Sequence, residues 1–131
     1  MPCCSFAERQ ITHILLDIVR DTCISLPMAT EGFPFDQNTL VWKVAGKIFC
    51  IGDISNFVSV NLKCDPERAQ ELRERFPQII PGWHMNKTLW NTVYFDGLSE
   101  KMIVELILHS YDEVVRKLPK KIQTEIQQLR K

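Results

Sequence analysis

The stretch LVWKVAGKIFCIGD (residues 40–53) restricts the fold more than any other part of the chain. LVWKV (40–44) and KIFCIGD (47–53) are rich in β-branched and aromatic residues, and only Ala45 and Gly46 separate them. A two-residue connection cannot carry a crossover, so the runs predict an antiparallel hairpin, with Gly46 supplying a positive φ. FVSVNLKC (57–64) reads as a third strand, whose alternation sets Val58, Val60 and Leu62 on one face and Ser59, Asn61 and Lys63 on the other.

Helical patterns flank these strands. Ser5 and Glu8 have capping-box spacing, and Ile11, Ile14, Leu15, Ile18 and Val19 recur on one helical face until Pro27. The breaker-rich ATEGFPFDQNT (29–39) reads as an extended loop carrying Phe33 and Phe35. Asp65-Pro66-Glu67 predicts a helix start: a cap, a proline in the first turn and an acid at the positive end of the dipole. That short helix runs to about Phe76, with Ala69, Leu72 and Phe76 inward.

LWNTVYF (89–95) is again strand-like, and Asp96-Gly97 turns the chain into a helix capped by Ser99. Ile103, Leu106, Ile107, Val114 and Leu118 give this helix its apolar stripe. Pro119 ends or kinks it, and Ile122, Ile126 and Leu129 are spaced for one more amphipathic piece. The order is helix, three strands, helix, two short strands, helix and a helical tail. It predicts an α+β two-layer sandwich, a mainly antiparallel five-stranded sheet with helices on one face, in a single domain spanning 1–131.

Charge and motif content exclude several kinds of chemistry. Sixteen basic residues balance sixteen acidic ones, so any nucleic-acid surface must be local. The chain has neither a phosphate-cradling G-x-x-x-x-G-K-[ST] loop nor a dinucleotide G-x-G-x-x-G turn, and no cofactor is expected. His13 with Asp17, and His109 with Glu105 and Glu113, share helix faces but lack a second histidine or a cysteine. They read as solvated polar faces, and no metal site is expected.

Five cysteines, an odd number, lack paired zinc-type spacing; Cys3 and Cys4 are read as exposed thiols. The start of the chain has no secretory pattern, and no apolar run approaches the ~18 residues of a membrane span. Reduced thiols, a cytoplasmic location and no membrane association are the expectations. Cys64 with His84 is the one pairing of a thiol with a base that the sheet would bring together, and a buried structural thiol accounts for Cys64 at lower cost.

One segment stands out chemically. PGWHMNKTLWNTV (81–93) concentrates Trp83, His84, Asn86, Lys87, Trp90 and Asn91, a mixture of stacking faces, amide donors and a cation suited to an exposed nucleic-acid strand or a peptide. The alternative is a corner whose tryptophans fill the core. Lys43, Lys47 and Lys63 fall on or beside strands, as edge guards or as part of such a surface. Arg116, Lys117, Lys120, Lys121, Arg130 and Lys131 make the C-terminal region basic, which reads as a solvated helix end. Ser110 and Tyr111 interrupt an apolar stripe and are expected to bond backbone.

FPFD (33–36), VWKVAGKIF (41–49), LKCDPERAQELRE (62–74), PGWHMNKTLWNTV (81–93) and HSYDEVVRKLPKK (109–121) together make the chain resemble the MmcQ/YjbR family, small bacterial proteins to which DNA binding is ascribed. The resemblance covers nearly the whole chain. It implies a fold of helix, three strands, helix, two strands and helix, similar to secretion chaperones and to bacterial frataxin, with two hairpins as wings and no assigned catalytic residues. The family pattern marks Lys47, Lys63, Pro81, Gly82, His84, Asn86, Lys87, Trp90, Ser110 and Tyr111; position 83, commonly tyrosine in the family, is tryptophan here.

The expectation is therefore a non-enzymatic binding module, monomeric or weakly dimeric, binding DNA or RNA. Its candidate residues are Lys47, Lys63, Trp83, His84, Asn86, Lys87, Trp90, Ser110 and Tyr111. A chaperone-like domain for a protein or peptide partner is the alternative, followed by a small-molecule or enzymatic site around His84, Asn86 and Cys64.

Overall fold

The hairpin at residues 45 and 46 is present, and both of its central residues adopt positive φ, 49° at Ala45 and 84° at Gly46. Such a turn twists with its strands, and so it joins β2 (Thr39–Val44) to β3 (Lys47–Asp53) without splaying them. The computed structural model describes residues 6–82 and 86–130, with side chains from residue 14 onward.

The remaining elements are α1 (Phe6–Ile24), β1 (Ala29–Gly32), β4 (Ser59–Lys63), α2 (Pro66–Arg75), β5 (Ile79–Pro81), β6 (Trp90–Tyr94), α3 (Glu100–Val115) and α4 (Lys120–Arg130). The strands form one antiparallel sheet in the order β1-β2-β3-β4-β6-β5. The sheet thus has six strands, not the five expected. The added strand, β1, lies in the segment read as loop: ATEG has poor β propensity, and it is held by pairing with β2. Glu31 of β1 also accepts hydrogen bonds from Arg20 of α1 and from the indole N–H of Trp42, at 3.1 Å.

Leu40, Trp42 and Val44, then Cys50, then Val60 and Leu62, then Val93 and Ile79 point to one side of the sheet. They form a single core with Val19 and Cys23 of α1, Ala69 and Leu72 of α2, Ile103, Leu106, Ile107, Tyr111 and Val114 of α3, and Ile126 of α4. Each large side chain buried here stabilises the fold by about 1.5–3 kcal/mol. Two details differ from the sequence pattern. Ile14 is 53 % exposed and the α1 stripe runs through Leu15, Leu16, Val19 and Cys23; Val58 is exposed because the chain bends before β4 and sends Phe57 inward instead. Ser5 and the side chains of Glu8, Ile11 and His13 lie outside the described residues. Among the described residues no helix is long and apolar enough to cross a membrane.

The helix starts follow their caps. Asp65 accepts from Arg68 N–H at 3.1 Å with Pro66 beginning α2, and Ser99 accepts from Met102 N–H at 3.1 Å to begin α3.

Candidate functional site

The sheet is irregular at one end, and that irregularity accompanies a depression in the surface. β2 and β3 pair as Trp42↔Cys50 and then Lys43↔Ile48, so Phe49 is an extra residue on β3, a β-bulge that turns both Phe49 and Cys50 into the core. On the other side of β3 the pairing with β4 ends at Cys50↔Leu62. The next pair in that register would be Phe49 with Lys63. A side chain of α3 stands there instead: the Ser110 hydroxyl donates to the Phe49 carbonyl at 2.5 Å and accepts from the Lys63 N–H at 2.8 Å. β4 continues to bond toward β6 through Cys64 N–H to the Leu89 carbonyl at 2.8 Å.

Beyond Ser110 the two central strands part, and a depression of about 560 Å³ opens between them. Lys47 and Ile48 line it from β3, Lys63 and Trp90 from the paired ends of β4 and β6, and Val114, Lys117 and Leu118 from the last turns of α3 and the residues after it. Burial holds the Lys63 ammonium below the usual lysine range; the nearby charge of Lys117, and more weakly Arg116, pushes the same way, and Glu113 opposes it. Glu113 is itself paired with Arg116 at 2.8 Å, which leaves the depression cationic in a chain of zero net charge. Trp90 is half-buried and is among the residues that line this cationic space.

The segment leading to Trp90 is built for rigidity. Asn86 accepts from Thr88 N–H at 2.9 Å through its side chain and from Trp90 N–H at 2.9 Å through its carbonyl, closing a tight turn. Arg73 of α2 spans that turn: it donates to Asn91 Oδ1 at 2.8 Å, to the Lys87 carbonyl at 2.5 Å and to the Trp90 carbonyl at 3.2 Å. Gly82 N–H reaches the same Trp90 carbonyl at 2.8 Å, and a Cβ at Gly82 would stand only 2.8 Å from Trp90 Cβ. Gly82 is therefore explained by close approach: a side chain at this position would collide with Trp90.

Of the candidate residues, Lys47, Lys63 and Trp90 come together around one depression. Asn86 shapes the turn beside it, and Lys87 is exposed on that turn. Trp83 and His84 lie outside the described residues. Ser110 and Tyr111 are both wholly buried and bond backbone, Tyr111 through its hydroxyl to the Pro27 carbonyl at 2.6 Å. Neither hydroxyl is presented to a ligand; their contribution is to hold the elements that frame the depression. Asn91, grouped above with the recognition residues, is 2 % exposed and occupied by Arg73.

Two participants were not legible as such. Lys117 reads in sequence as one of several solvated cations, and nothing local signals that the turn after α3 brings its charge near Lys63. Arg73 belongs to a charged helix face, and its partners lie 14 to 18 residues away.

Cys64 and His109 are held in structural surroundings, and His84, the base weighed beside Cys64, lies outside the described residues. Cys64 is buried, and burial pushes its thiol up to about 11, far from a thiolate at neutral pH. His109 accepts from Asp65 N–H at 3.2 Å, Glu105 pairs with Arg68 at 3.0 Å and Glu113 with Arg116. Among the described residues no group of three or more histidine, cysteine or acidic side chains is placed to hold a metal ion.

Comparison with known proteins adds relatives to this geometry. The YjbR family model matches residues 24–113. The chain is 32 % identical over 121 residues to the protein YbdF of Escherichia coli O157:H7, covering 91 % of this chain and 97 % of that one. It is 34 % identical over 99 residues to YjbR of Escherichia coli K12, covering 74 % and 84 %. A crystal structure of a Deinococcus radiodurans protein superposes with a TM-score of 0.80 at 39 % identity, over 86 % of this chain and 87 % of that one. A Pseudomonas syringae protein does so with a TM-score of 0.57 at 27 % identity, over 69 % and 90 %.

Proposed function

The chain belongs to the YjbR family, and from that premise we propose that it is a non-enzymatic nucleic-acid-binding module of the cytoplasm, gripping phosphate with the lysines of the depression and a base with Trp90. One observation carries the reading. Lys47, Lys63 and Lys117 come from three separate parts of the chain, yet they line one concave space together with Trp90. Cations bring phosphate and release counterions, whereas an aromatic face takes a base of any sequence, so the pair suits affinity without strict sequence readout.

Fluorescence anisotropy of a labelled oligonucleotide at low salt tests this. The wild type is expected to bind with a Kd of order 10⁻⁶ M, and the triple variant Lys47→Gln/Lys63→Gln/Lys117→Gln at least about tenfold more weakly. An unchanged affinity in the folded triple variant would remove the depression from the account.

A second reading, a protein- or peptide-binding domain, draws on the sheet face opposite the helices, where Ile80 is 38 % and Tyr94 41 % exposed. Binding of a partner that survives the triple variant but is lost in Ile80→Glu would favour it.

A further inference from the structure

We infer that the nucleic acid taken by this domain is single-stranded, and that it crosses the sheet from Trp90 to a second stacking platform at Phe33. This rests on the reading of the depression as a phosphate and base site, and extends it. A second depression, of about 320 Å³, lies at the β1–β2 side of the sheet and is lined by Phe33, Pro34, Val41 and Lys43 among others. Lys43 pairs in register with Ile48, which lines the first depression. One cross-strand pair of β2 and β3 thus contributes a residue to each depression; the first lies at the 45–46 hairpin, and Phe33 follows Gly32, the partner of Val41, further along β2.

The chemistry along that line repeats. At one end Trp90 adjoins Lys63; at the other, Phe33 lines a depression with Lys43 and is 47 % exposed. The one acid bordering the second depression, Glu31, is compensated by Arg20 at 2.6 Å and by the Trp42 indole N–H. From β1 to β6 the sheet order leaves four strand spacings of about 4.8 Å, which sets the platforms on the order of 20 Å apart. That separation suits a few nucleotides of flexible strand. A duplex keeps its base faces stacked inside and could reach neither platform.

The experiment compares two labelled thymidine oligomers, of roughly three and roughly twelve nucleotides, with a hairpin duplex of equal charge, against wild type, Phe33→Ala and Phe35→Ala. Phe35 is 66 % exposed in the same loop and does not line the depression, so it controls for effects on the loop. The longer strand should bind wild type more tightly than the duplex, and Phe33→Ala should weaken it on the order of tenfold while sparing the short oligomer and leaving Phe35→Ala at wild-type affinity. Equal or tighter duplex binding, or no effect of Phe33→Ala, overturns the inference even where the lysine variants still abolish binding, and then the phosphate reading stands alone. If no oligomer binds wild type at low salt, both fall together.

Discussion

Ser110 and Lys63 are joined by a hydrogen bond of 2.8 Å from the lysine's backbone N–H to the serine hydroxyl, and the same hydroxyl donates to Phe49. A helix side chain thus occupies the place where two strands would otherwise close on each other. The bulge at Phe49 leaves a carbonyl without a ladder partner, Ser110 satisfies it, and the strands part around the hydroxyl.

Ser110→Ala should be destabilising by about 1–3 kcal/mol, because it strands a buried carbonyl and a buried N–H together. Urea unfolding measures this directly. A loss under a few tenths of a kcal/mol would mean that the strands re-pair when the hydroxyl is gone.

Gly82→Ala tests the close approach to Trp90. A Cβ there would lie 2.8 Å from Trp90 Cβ and 3.0 Å from its carbonyl oxygen, and neither atom is the free end of a side chain. The expected cost is about 1–3 kcal/mol, with a changed near-ultraviolet circular dichroism signal as the indole shifts. An unperturbed spectrum and melting temperature would contradict the packing described.

Arg73→Met keeps an apolar stem but removes the donors to Asn91, Lys87 and Trp90. Because Asn91 is buried, its amide oxygen loses a charged partner, and about 1.5–3 kcal/mol of stability should go with it. Amide hydrogen exchange at Leu89 and Trp90, whose N–H groups close the 86–90 turn, should quicken in the same variant.

These variants mark where sequence reading succeeds and where it stops. The hairpin at Ala45-Gly46, the Asp65 and Ser99 caps and the inward stripe of α3 follow from local rules, and they stand in the structure as expected. β1 was hidden because its four residues have no strand signal of their own and depend on β2 for pairing. The roles of Arg73 and Lys117 depend on partners brought near by the fold, so spacing along the chain carries no trace of them. PGWHMNKTLWNTV was recognisable as unusual, yet its described part divides: Gly82, Asn86 and Asn91 build the corner, and Trp90 borders the depression.

Acid should weaken the fold through His109. Burial, and then the charge of Arg68, hold its imidazole below the ordinary 6.5, with Glu113, Asp65 and Asp112 opposing. The folded state thus prefers the neutral ring, whose Nε2 accepts from Asp65 N–H at the start of α2. The sign follows: this contribution is present above about pH 6.5 and is lost as pH falls through that value toward the lower folded one. Thermal melts between pH 7.5 and about 5 should show a steeper decline for wild type than for His109→Gln, which keeps an acceptor and cannot titrate. Parallel declines would assign the acid sensitivity to other groups.

The central claim, that Lys47, Lys63 and Lys117 act together on phosphate, is tested most directly by the salt dependence of oligonucleotide binding. Each contact to a single strand should contribute about 0.7 to the slope of log K against log salt, so the triple glutamine variant should have a slope shallower by about 2 than wild type between roughly 50 and 200 mM. An unaltered slope, with binding intact, would show that the nucleic acid lies elsewhere and would contradict the account.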